Sequence, residues 1–171
     1  MEKNKLKLPV VLGQQLLLIV LALLHYTIES KVSISGFTPF VALVVFVFIC
    51  NRNSVIYSLV TGLVFGLVCG AFTSCMPGFY CIMFMIFGFF ISLLSHFVLN
   101  YNIKSVLILV SIFSLLYYFI SFVFYYFSDF TFYIGMTIFI YKRVLCCVYN
   151  SVIGICIYLF VKYIEGRKKS R

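Results

Sequence analysis

Six runs of apolar residues, separated by short polar links, leave this chain few folds. They are 8–28, 37–50, 55–72, 79–99, 105–127 and 144–164. A backbone in hydrocarbon must satisfy its own hydrogen bonds, so each run reads as an α-helix. A full span takes about 20 residues at about 1.5 Å of rise each. The second run is too short for that. It reads as a partial span, or as one buried among its neighbours. The expected fold is all-α: a single polytopic membrane domain over 1–171, with six transmembrane helices and a short second one. Composition agrees, because 64% of residues are hydrophobic and 10% charged, a balance that no water-exposed surface of this size carries.

Charge sets the expected orientation. If all six runs cross, one side holds Lys3, Lys5, Lys7, Arg52, Lys104 and the five basic residues from Lys162 to Arg171, ten of the thirteen in the chain. Lys31, Lys142 and Arg143 fall on the other side. The positive-inside rule then makes both termini cytoplasmic. The net charge of +9 is read as topology-setting and lipid-facing, with no nucleic-acid partner. The first run imitates a secretory signal. Its length, and the lack of a small-x-small site between Glu29 and Ser33, favour an uncleaved span.

Chemistry is sparse. The deep parts of the runs contain no Asp, Glu, Lys or Arg, the usual marks of proton relays and catalysis in membranes. His25 and His96 fall near opposite faces on the expected topology and cannot share a metal. The seven cysteines show neither Cys-x-x-Cys nor zinc-like Cys/His spacing. Cys75 and Cys81 flank a Pro77-Gly78 break; two thiols is the preferred reading, a disulfide on an oxidising face the lesser one. Serines such as Ser92, Ser95, Ser111, Ser114 and Ser121 have no base beside them in a recognisable motif. No enzyme activity, cofactor or metal is expected. The aromatic run from Tyr117 to Phe127 reads as an interfacial belt in preference to a stacking surface. The link from Ser128 to Arg143 is expected to lie in the outer interface, and Asn51 to Ser54 to form a tight turn.

Gly62, Gly66 and Gly70 stand four apart within the third run. That spacing puts them on one helix face, which a second helix can approach closely. The pattern serves either packing within the chain or a partner, and the two readings weigh evenly.

The order of these features resembles the MreD family of bacterial rod-shape membrane proteins. The likeness rests on the basic start, on Gly36-Phe37-Thr38-Pro39 before a short second span, on the glycine seam, on Pro77-Gly78, and on Asn150 early in the last span before a basic tail. Phe40 stands where the family usually has an acid, and Gly70 where it usually has Asp. The resemblance implies a non-enzymatic scaffold of the cell-elongation and peptidoglycan machinery in the plasma membrane. It would bind an MreC-like protein and, through it, MreB, RodA and a penicillin-binding transpeptidase. Its contact or packing residues would be Gly36, Phe37, Pro39, Gly62, Gly66, Gly70, Pro77, Gly78 and Asn150. A buried Asn150 amide would bond across helices and fix register. The same architecture is similar to the substrate-capture subunits of energy-coupling-factor transporters, the alternative reading, with a vitamin or metal as cargo.

Overall fold

Each helix can be traced to its sequence. The structure, a computed structural model, describes residues 8–28, 39–73, 78–97, 102–128 and 135–169. These form α1 (Leu8–Ile28), α2 (Val41–Arg52), α3 (Val55–Phe72), α4 (Phe79–Phe97), α5 (Ile103–Ser128) and α6 (Gly135–Lys169). All but α2 are long and apolar enough to cross a membrane. Leu16, Ile56, Ile82, Phe119, Phe160 and Tyr163 stand exposed around the outside. Such a surface belongs in lipid, and the chain is a multi-pass membrane protein by this character.

α2 is the centre of the bundle. It touches every other helix. Nine of its twelve residues are buried, from Ala42 to Asn51. At about 18 Å it is shorter than the hydrocarbon core of about 30 Å. It sits inside protein, where its end groups find partners other than lipid.

The direction of each helix follows from side-chain pairs. Gln14 and Gln15 near the start of α1 bond Tyr57 and Thr61 near the start of α3, so α1 and α3 run parallel. His25 at the far end of α1 stacks on Phe40 at the start of α2, with ring centroids 4.4 Å apart. α2 therefore runs back between them. Gly62 meets Phe84 and Gly66 meets Tyr80, so α3 and α4 are antiparallel. Phe87 packs on Phe113 while Phe84 packs on Tyr117, so α5 reverses again. Ser111 pairs with Ser151, and Asn150 with Ser114, which sets α6 antiparallel to α5. The start of α1 and the end of α6 lie at the same end of the bundle. That end is called basal below, and the other distal.

Three expectations need correction. The link from Ser128 to Arg143 is not all loop: α6 begins at Gly135 and runs 35 residues, about 52 Å. Hydropathy marks the part of a helix that crosses lipid. It misses the overhang, where no proline or glycine interrupts residues 136–143. The second run shifts from 37–50 to Val41–Arg52, taking Asn51 and Arg52 from the turn and leaving Asn53 and Ser54 extended. The aromatic run is not purely a belt. Tyr118 is buried and Tyr117 packs on Phe40 and Phe84, whereas Phe119 is exposed. Consecutive residues of a helix point about 100° apart, so an unbroken aromatic run covers inner and outer faces alike.

Candidate functional site

Among the described helices, α3 and α4 have the most extensive contact of any pair, and they meet backbone to backbone. Ser58, Gly62 and Gly66 line one side. A Cβ built on Gly62 would collide with the Phe84 carbonyl and lie 2.9 Å from the Met85 Cα. One on Gly66 would meet the Tyr80 carbonyl carbon at 2.7 Å, with the Cys81 Cα nearer still. Gly88 on α4 reciprocates, because a Cβ there would strike the Ser58 carbonyl. Each glycine thus sets its Cα against a peptide of the other helix, an arrangement that favours weak Cα–H···O contacts. The obstructing atoms are backbone, so no side-chain rotation makes room. Gly62 and Gly66 are occupied inside the chain. Gly70 is different: its nearest neighbour would be the Tyr80 Cβ at 3.9 Å, an ordinary contact. The tight seam therefore ends at Gly66. Gly78 holds φ at +89°, which a side chain would strain, and its carbonyl accepts the Ile82 amide at the start of α4.

The second feature is Asn150. It is fully buried on α6 and joins three helices. Its Oδ1 accepts the Phe40 backbone amide at 2.9 Å, and its Nδ2 donates to Ser114 Oγ at 3.1 Å. Phe40 caps α2 with no side-chain cap of its own. A residue 110 positions away supplies an acceptor there. Pro39 begins the turn, with its carbonyl accepting the Val41 amide. Phe40 is the hub of an aromatic cluster. It meets His25, Tyr26, Phe65 and Tyr117, all with centroids within 6.4 Å. The acid usual in the resembled family would put a carboxylate in this apolar place, where burying an unpaired charge is costly.

The third feature is a polar collar at the basal end. Gln15 donates to Tyr57 and Thr61, Tyr57 donates to Gln14 Oε1 at 2.8 Å, and Asn53 reaches the same oxygen at 3.4 Å. Ser92 and Ser95 of α4 donate to the Asn53 and Asn51 carbonyls at 2.9 and 2.6 Å. These bonds satisfy the carbonyl end of α2, as Asn150 serves its amide end. Sequence reading passed over Gln14, Gln15, Ser58, Thr61 and Gly88. Two adjacent amides inside an apolar span were the available signal, as was the Gly88-x-x-x-Ser92 spacing.

Gly36, Phe37, Pro77 and Cys75 lie outside the described residues. Cys81 carries a free thiol. His25 and His96 sit at opposite ends of the bundle. Among the described residues, no group of three His, Cys, Asp or Glu side chains is placed to hold a metal ion. The geometry offers steric fit and hydrogen-bonded register between helices. Comparison of the chain with protein-family models, with curated proteins and with solved structures finds no match to any of them.

Proposed function

We propose that this protein is a non-enzymatic membrane scaffold of the bacterial cell-elongation machinery, working through helix contacts with an MreC-like partner. The observation that carries the reading is the Phe40–Asn150 bond. Two places marked by the family resemblance, the stretch ending at Pro39-Phe40 and the buried Asn150, meet across the molecule and hold the short helix between the long ones. The seam of Gly62 and Gly66 adds rigidity to the same body. A rigid bundle with an apolar exterior suits a role of holding partners in place. Through the partner it would act on MreB, RodA and a penicillin-binding transpeptidase.

The orientation belongs to the same proposal. The basal end carries Arg52, Lys104, Lys162 and the basic residues at the end of α6, so it faces the cytoplasm of the plasma membrane. Depletion in a rod-shaped host is expected to round the cells, with an MreC-like protein recovered on affinity purification. Normal rods after complete loss, with no second copy in the genome, would refute the reading. Tight capture of one vitamin or metal by the purified protein, with uptake lost on deletion, would replace it by the transporter-subunit alternative.

A further inference from the structure

We draw no further inference here: the strongest candidate, the open groove on the outer faces of α3 and α4 lined by Leu59, Ile82, Met85, Ile86, Phe89 and Phe90, is walled by apolar side chains alone, and nothing in the structure shows what covers it.

Discussion

Adding one methyl group at Gly66 tests the central packing argument, because the same change one turn away at Gly70 provides the control. At Gly66 the new Cβ would sit 2.5 Å from the Cys81 Cα and the Tyr80 carbonyl oxygen, where ordinary contact begins near 3.4 Å. The obstacles are main chain, so α3 and α4 must separate by about 1 Å locally, a gap that forfeits a quarter to a half of each contact's dispersion energy. Overpacking of this kind costs about 1–3 kcal/mol. No hydrophobic effect offsets it in lipid, where close packing itself holds helices together. At Gly70 the Cβ would find only the Tyr80 Cβ at 3.9 Å. Gly70→Ala should therefore be neutral, or stabilising by up to about 1 kcal/mol through helix propensity. That propensity gain is common to both sites, so the difference between the variants isolates the seam. The measurement is reversible unfolding in mixed micelles, followed by helical circular dichroism. Gly66→Ala should unfold at lower denaturant than Gly70→Ala by about 1–3 kcal/mol, and Gly62→Ala should behave like Gly66→Ala. Equal stability of Gly66→Ala and Gly70→Ala would refute the reasoning.

Three further outcomes are expected. Asn150→Leu leaves the Phe40 amide and Ser114 without their partner, which should cost about 1–3 kcal/mol; hydrogen exchange at the Phe40 amide should accelerate, and unchanged exchange there would remove Asn150 from the capping role. Gln14→Leu, which deprives Tyr57 of its acceptor and Asn53 of the longer of two, should cost about 0.6–1.7 kcal/mol. A cysteine pair engineered at the α1–α3 contact would then cross-link more slowly, and no change in rate would count against the collar. Green fluorescent protein fused after Arg171 should fluoresce, because it folds on the cytoplasmic side, whereas alkaline phosphatase at the same place should be inactive; the opposite pattern would invert the orientation.

Much of the fold was legible because membrane helices announce themselves by length and apolarity. The expected bounds of α1 and α3 match the observed ones. What hydropathy could not carry was the helix beyond the lipid. The first turns of α6, from Gly135 to Arg143, include Lys142 and Arg143 and read as a link, although nothing in them breaks a helix. The seam was legible as a face but not as a pair. Four-residue spacing says that a helix can come close, not which helix, and Gly88 stood alone in its run until Ser58 was found opposite. Asn150 stood out as a polar residue in an apolar span. Its partner, a backbone amide 110 residues earlier, has no side-chain signature to read. Gln14 and Gln15 were hidden by their position near a basic start, where polarity is expected.

The cap on α2 also orders events in time. α2 is too short to hold itself in a bilayer, and its amide end is completed by a residue that the ribosome adds 110 residues later. At about 5–20 residues per second, that is about 5–20 s during which α2 to α5 are made but the central helix is open at its distal end. A chain truncated before α6 would leave the Phe40 amide without the Asn150 acceptor, a costly state for a buried donor. The last helix thus acts as a latch: the amide end of α2 is closed only once residue 150 has been made and α6 has docked.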